Sequence, residues 1–419
     1  MVRVLGTGII SSLGFTTDEN YNAVKKGVTG IKHYDAGGFG LPEPFMASLI
    51  DKERLEDEFA CHCRVAQDGY TSLEKAAILS VFNANKEAQI DLSSEKTIFI
   101  LSTTKGNIGL MNNEQLTMSN LRNHDSLFAI NCSLYLWHTA ELVASFFGNT
   151  NTPMVVSVAC ISGATAQITA MRELQSRNYD HAVVVGVDLL SKFIISGFQS
   201  FKALSPERCK PFDKNRCGLN LGEAAATVIF GNEQLTMNNI CLVAGAVRND
   251  ATHISAPSKT GEGSFRALSA ILNSQIPNLK SQIAFINAHG TATPYNDAME
   301  MNAIVRAGLQ QIPVNSLKSC FGHTLGAAGV VESIISMRAL SVGLILKTLG
   351  FEENEQLPMN NEQLIMNNKQ SPSPAGDLGG GKLLALNVCK ENMKTEKKYF
   401  IKMMSGFGGV NTALLYAKD

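Results

Sequence analysis

The sequence predicts a layered α/β fold, and three observations lead there. Apolar runs of strand length alternate with stretches of helical spacing along much of the chain. The second half repeats the alternation of the first. Hydrophobic residues make up 45% of the 419 residues and charged residues only 17%. Average domains carry about 25% charged residues, so this chain can fill a large core but has little charge to spread over its surface.

The elements follow in order. Val2 to Leu5 reads as a buried strand entering a turn at Gly6-Thr7-Gly8. Residues 17 to 26 read as a helix, with Asp18 and Glu19 in the first turn where the helix dipole favours acids. Thr97 to Leu101 and Met154 to Val158 are apolar runs of strand length, and residues 162 to 177 have helical spacing. His181 to Val187 and Ala225 to Phe230 are two more strands. In the second half, Ile283 to Asn287 is a strand, while Ala298 to Leu309 and Gly326 to Val342 are helices. Tyr399 to Met403 and Thr412 to Tyr416 close the chain as strands joined across a glycine turn.

Composition excludes several classes. With 36 basic and 37 acidic side chains the net charge is −1, which lacks the basic excess of a nucleic-acid binder. The hydrophobic content excludes a disordered chain. No apolar run reaches the ~18 residues of a membrane span. The N-terminus lacks the apolar stretch and cleavage site of a signal peptide, so the expected compartment is the cytoplasm. Nine scattered cysteines are then expected to be thiols. The length permits two or three domains, or one large core with surface hidden by a partner subunit.

Three features look like motifs and are set aside. The segment Asn113 to Met118 (NEQLTM) recurs at Asn232 to Met237, and twice in tandem at Asn354 to Asn360 and Asn361 to Asn367. Solenoid repeats are evenly spaced. These are not, and they read as inserts in surface loops. Gly376 to Lys382 (GDLGGGK) is followed by Leu383, where a phosphate-binding loop needs a hydroxyl. Cys61-His62-Cys63 has no second ligand pair nearby, and adjacent residues cannot all reach one ion.

Cys160 is the candidate nucleophile. It follows an apolar strand and precedes a small-residue helix, in Ser157-Val158-Ala159-Cys160-Ile161-Ser162-Gly163. A helix N-terminus stabilises a thiolate and is expected to lower the thiol pKa. His289, in His289-Gly290-Thr291-Ala292-Thr293-Pro294, and His323, in Lys318-Ser319-Cys320-Phe321-Gly322-His323, both stand in glycine-flanked turns. Such turns are where functional side chains are mounted. A cysteine at a helix start with two such histidines points to nucleophilic thiol chemistry. Papain-like proteolysis is one candidate, although it needs its cysteine near the N-terminus.

Taken together, these motifs resemble those of the β-ketoacyl-ACP synthases, condensing enzymes of the thiolase fold, most closely the synthase I/II branch. Further segments carry the resemblance: Lys210-Pro211-Phe212-Asp213-Lys214-Asn215-Arg216-Cys217-Gly218, Leu221-Gly222-Glu223-Ala224, the run Lys318 to Gly329, and Ser405-Gly406-Phe407-Gly408-Gly409-Val410-Asn411. Together they span nearly the whole chain.

The resemblance implies two similar βαβ-rich halves packed as a five-layered α-β-α-β-α core. Residues 1–238 would carry Cys160, and residues 239–419 would carry His289 and His323. The implied reaction is a decarboxylative Claisen condensation of a Cys160-bound acyl chain with malonyl-ACP. His289 and His323 would donate to the enolate oxygen. Cys160 and Phe407 would supply backbone N–H groups to the acyl-transfer oxyanion, with Phe407 also gating the acyl pocket. Lys318 and Glu332 would form an ion pair, Thr291 and Thr293 would bind the phosphopantetheine arm, and Asp213 and Arg216 would brace a loop. No metal or cofactor is implied, since the phosphopantetheine arrives on the acyl carrier protein. The implied assembly is a homodimer or a heterodimer with a related subunit.

Some segments depart from the family pattern. The loop Ala203 to Pro211 is short, Lys105-Gly106-Asn107 replaces a glycine-rich stretch, and residues 51 to 150 match poorly. These departures leave chain-length preference open and favour an aryl-polyene or polyketide-like pathway over bulk fatty acid synthesis. The alternative function is a silent partner subunit of the chain-length-factor kind, against which Cys160 itself argues.

Overall fold

Valine, isoleucine and alanine dominate the predicted strands because both strand faces are buried, as expected where helices cover a sheet on each side. The computed structural model describes residues 1–62, 69–112, 132–232, 239–354 and 385–419. The GDLGGGK segment, Cys63 and, apart from Asn232 and Asn354, all of the NEQL copies lie outside that set.

In the first half the strands are β1 (Val2–Ser11), β2 (Lys32–Tyr34), β3 (Phe45–Ser48), β4 (Thr97–Ser102), β5 (Met154–Val156), β6 (His181–Asp188), β7 (Leu221–Gly222) and β8 (Ala224–Gly231). In the second they are β9 (Ile240–Asn249), β10 (Ile283–Asn287), β11 (Val314–Asn315), β12 (Leu344–Ile345), β13 (Met393–Lys394), β14 (Tyr399–Gly406) and β15 (Val410–Lys418). Ten of them form one sheet in the order β11-β10-β14-β15-β9-β1-β8-β6-β4-β5. Among the described residues its halves join through Val2 opposite Leu242 and Arg3 opposite Cys241.

Side-chain alternation sorts the strands into layers. In β6, Ala182 and Val184 join one apolar cluster while Val183, Val185 and Val187 join another. The first cluster is central and contains the helices Ser162–Gln175 and Ala328–Ser341, with strand residues from both halves of the sheet. The second lies outside the first half, under the helices Lys52–His62, Ser72–Ala88 and Leu136–Phe146. A third lies outside the second half, under Glu262–Leu272 and Pro294–Arg306. The layers therefore run α-β-α-β-α. Among the described residues no helix is long and apolar enough to cross a membrane.

The structure corrects several expected boundaries. There is no turn at Gly6-Thr7-Gly8, and β1 runs through to Ser11. These glycines answer to packing instead, because a Cβ on Gly6 or Gly8 would lie 2.0 Å from the Ala84 oxygen or 2.1 Å from the Ser80 oxygen. β5 stops at Val156, since residues 157–160 form the turn that displays Cys160. The helix expected from Ala298 starts at Pro294, where proline is suited to the first helical position. The helix expected from Gly326 begins at Ala328, after a 3-10 turn at Leu325–Ala327.

Candidate active site

The nucleophile turn is strained and clamped. Ala159 has φ +47°, in the left-handed region that non-glycine residues seldom occupy. Ser162 holds the turn, accepting from the Val158 N–H at 2.8 Å and donating to the Ala159 carbonyl at 2.6 Å. Cys160 is thereby set at the mouth of the Ser162–Gln175 helix, only 8% exposed.

The His289 turn follows β10. Glu300, on the Pro294–Arg306 helix, accepts from the backbone N–H groups of His289 and Gly290, each at 2.7 Å. Burial pushes the Glu300 carboxyl up to about 7, against these hydrogen bonds. The His323 turn is held by the short strand β7: the His323 N–H donates to the Asn220 carbonyl at 2.7 Å, and the Gly222 N–H donates to the His323 carbonyl at 3.0 Å. A Cβ on Gly222 would lie 2.0 Å from the Phe321 oxygen. Leu221-Gly222 thus belongs with the histidine motifs because it packs directly on one of them.

These turns converge. His323 Nε2 lies 2.9 Å from Cys160 Sγ. The two imidazole rings stand 5.1 Å apart at 81°. Burial, then the charge of Lys318, holds both histidines well below their ordinary pKa, so both rings are neutral. The Lys318 ammonium sits 3.4 Å from His289 Nδ1. Since an ammonium only donates, Nδ1 is the acceptor and the ring proton belongs on Nε2.

The expected lowering of the Cys160 pKa is not found. Burial pushes the thiol up to about 12, opposed by the charge of Lys318. The helix start is real, but desolvation of a thiolate outweighs it. The resting group is a thiol, and any use of its sulfur as a nucleophile requires a neighbour to take its proton.

Lys318 and Glu332 form a buried ion pair at 2.5 Å, each side chain 1% exposed. Lys318 Nζ also donates to the His289 carbonyl at 3.0 Å. The pair therefore lies behind His289, outside the cavity wall. Asp213 accepts from the backbone of Glu352 and Glu353, and Arg216 donates to the Asp213 and Pro294 carbonyls. Both residues tie loops together.

Two cavities meet at Cys160. One, of about 430 Å³, is lined by Cys160, His289, His323, Thr291, Thr293 and Phe407. The Thr291 and Thr293 hydroxyls are 2.9 Å apart on its wall. The other, of about 660 Å³, is mainly apolar and is walled by Phe193, Ile194, Phe198, Phe201, Leu325 and Phe407. Phe407 borders both cavities and packs on Phe198 and Phe201 at 6.1 and 5.5 Å between centroids. A Cβ on Gly406 would lie 3.2 Å from the Cys160 nitrogen, which brings the Phe407 turn against the nucleophile.

Sequence reasoning missed Glu300 and Lys402. Lys402 was visible as the one charge in the apolar run Tyr399 to Met404, and it meets Glu332 at 2.5 Å. Glu300 carried no signal, because its partners are backbone groups of another turn.

Comparison with known proteins agrees with this geometry. The family model for the β-ketoacyl synthase N-terminal domain matches residues 1–234, and that for the C-terminal domain matches residues 240–352. The whole chain is 25% identical to 3-oxoacyl-[acyl-carrier-protein] synthase 2 of Vibrio harveyi, covering 98% of it. The protein of that name from Staphylococcus aureus (strain COL) gives the same identity and coverage, 25% and 98%. A β-ketoacyl synthase from Burkholderia phymatum superposes with TM-score 0.80 at 22% identity, over 100% of this chain and 99% of that one. A ketosynthase solved with its chain length factor, from Xenorhabdus doucetiae, gives TM-score 0.79 at 22% identity over 100% and 98%. The cysteine–histidine site is thus set in a fold and sequence of one known kind, and the chain belongs to the β-ketoacyl synthase family.

Proposed function

We propose that the chain is a 3-oxoacyl-ACP synthase that joins a Cys160-bound acyl chain to the two-carbon unit of malonyl-ACP. The observation that carries this reading is His323 Nε2 at 2.9 Å from Cys160 Sγ, beside the neutral His289. Residues 1–238 and 239–419 act as one unit, because neither half holds the whole site.

In the first half-reaction the Cys160 sulfur attacks the thioester carbonyl of acyl-ACP. His323 Nε2 takes the thiol proton and returns it to the departing phosphopantetheine thiol. The new bond is Cys160 S–C, and the broken one is the carrier's C–S. Backbone N–H groups of Cys160 and Phe407 hold the transient oxyanion. The acyl chain lies in the larger apolar cavity, and Phe407 separates it from the entrance.

In the second half-reaction the malonyl thioester enters past Thr291 and Thr293. Its bond to CO₂ breaks, and the electron pair becomes an enolate. His289 donates from Nε2 to the enolate oxygen. His323 donates from its own Nε2, in the tautomer that carries the proton there. Each preorganised donor of this kind contributes about 2.7–4 kcal/mol. The enolate carbon attacks the acyl carbonyl, the Cys160 S–C bond breaks, and the Cys160 thiolate so released takes up one proton from solvent. Lys318 and Glu332 position His289.

The carrier protein brings the phosphopantetheine arm, so no separate cofactor is required. We place the reaction in the cytoplasm, in an assembly with a second copy or a related subunit. The short Ala203–Pro211 loop favours a specialised aryl-polyene or polyketide-like product. The test is to incubate the protein with malonyl-ACP and a panel of acyl-ACPs differing in length and unsaturation. Release of CO₂ with formation of 3-oxoacyl-ACP supports the reading. Equal turnover of ordinary saturated chains removes the specialised pathway, and no product unless a related subunit is added supports the silent-partner alternative.

A further inference from the structure

β14 carries a lysine into the central core. Phe400 and Met404 belong to the apolar cluster around the Ala328–Ser341 helix, and Lys402 alternates with them onto that face. β10 runs parallel beside β14, with Asn287 opposite Lys402. The carbonyl just past the end of β10, that of Ala288, accepts from Lys402 Nζ at 3.3 Å. Lys402 Nζ also donates to Glu332 Oε2 at 2.5 Å, while Lys318 Nζ takes Oε1 at 2.5 Å. One carboxylate therefore faces two ammonium groups, and all three side chains are at most 1% exposed.

Glu332 needs only one cation for neutrality. A second buried ammonium is costly unless its charge is used. With all three groups ionised the cluster carries charge +1 directly behind the turn that bears His289, and Glu300, hydrogen-bonded to the same turn and pushed up to about 7, offsets that charge where it is ionised. We propose that Lys402 is a second positioning residue of the condensation, fixing the Ala288–His289 backbone and holding a second ammonium behind the histidines where the enolate forms. This rests on the condensing reading of Cys160, His289 and His323.

Two further observations fit. The charge of Lys402 is among the influences that keep both histidines neutral, after burial and Lys318. Burial draws Lys402 itself down to about 8; Glu332 and Glu300 oppose this and Lys318 reinforces it. Lys402 thus loses its proton at mildly alkaline pH, and the positive charge behind the histidines goes with it.

The test uses the full chain with Cys160→Ala, which removes acyl transfer and the thiol's own titration. The rate of malonyl-ACP decarboxylation is followed from pH 6 to 9.5, with Lys402 intact and as Lys402→Met. With Lys402 intact the rate should fall through an alkaline limb near pH 8. Lys402→Met should be at least about tenfold slower at pH 7, with KM for malonyl-ACP unchanged and no alkaline limb. A folded Lys402→Met protein with the parent's kcat and pH profile overturns the proposal. If Lys402→Met does not fold, Lys402→Gln takes its place, and a rate level to pH 9.5 with Lys402 intact overturns the proposal by itself. Absence of any decarboxylation with Lys402 intact would instead count against the condensing reading.

Discussion

His323 Nε2 sits 2.9 Å from Cys160 Sγ, although the two residues come from different halves of the chain. Cys160 is mounted on a strained turn in the first half and His323 on a turn clamped by β7. The thiol is buried and its pKa is raised, so on the proposed mechanism proton transfer to His323 makes the sulfur a nucleophile. Replacing His323 with alanine should cut the acylation rate of Cys160 by about 10²-fold or more. Rapid-quench mass spectrometry of the acyl-enzyme checks this, and an unchanged rate would assign the base elsewhere.

On the proposed mechanism His289 acts in the second half-reaction. His289→Ala should lower decarboxylation of malonyl-ACP by about 10²–10³-fold, the usual loss for one oxyanion donor. Acylation of Cys160 should change far less. Comparing CO₂ release with acyl-enzyme formation in one preparation separates the two effects.

The pH dependence follows from neutral imidazoles. Burial and then Lys318 hold both histidines well below the ordinary range. A protonated His323 cannot accept the thiol proton, so on the acid side activity is lost as pH falls through these lowered values. Condensation should therefore stay near its neutral-pH rate at about pH 6.5, where an unperturbed imidazole is half protonated. A rate halved at that pH would mean that the histidines titrate normally.

Thr291 and Thr293 line the entrance cavity with hydroxyls 2.9 Å apart. A hydrogen bond from one of them to the phosphopantetheine arm is worth about 0.5–1.5 kcal/mol. Valine at either position should raise KM for malonyl-ACP by about two- to tenfold, with kcat little changed. Steady-state kinetics decides this, and an effect on kcat alone would move these residues from binding to chemistry.

Gly222 tests the support beneath His323. An added Cβ would meet the Phe321 oxygen at 2.0 Å. Gly222→Ala should destabilise the protein by about 1–3 kcal/mol through overpacking and should reduce acylation of Cys160 at temperatures where the protein is folded. A thermal melt and the same rapid-quench assay report both.

Much of the site was legible because its residues sit in local motifs. Cys160 shows itself by a strand before it and a small-residue helix after it, while His289 and His323 stand in glycine turns. Helix and strand types were legible from period and length. The thiol pKa was not, since the helix start is local and the burial that outweighs it is assembled from distant elements. Gly6 and Gly8 misled for a similar reason: glycine admits turns, but here it admits the backbone of the Ser72–Ala88 helix. Lys402 and Glu300 matter through contacts 70 and 10–11 residues away in sequence, which no local spacing encodes.

On the proposed mechanism Cys160 carries the acyl chain between the two half-reactions, which intact-mass spectrometry after incubation with acyl-ACP reads out. The wild-type protein should gain one acyl group, which is lost on adding malonyl-ACP as 3-oxoacyl-ACP appears, and Cys160→Ala should gain none. An undiminished adduct in Cys160→Ala, or a wild-type adduct that malonyl-ACP cannot discharge, would contradict it.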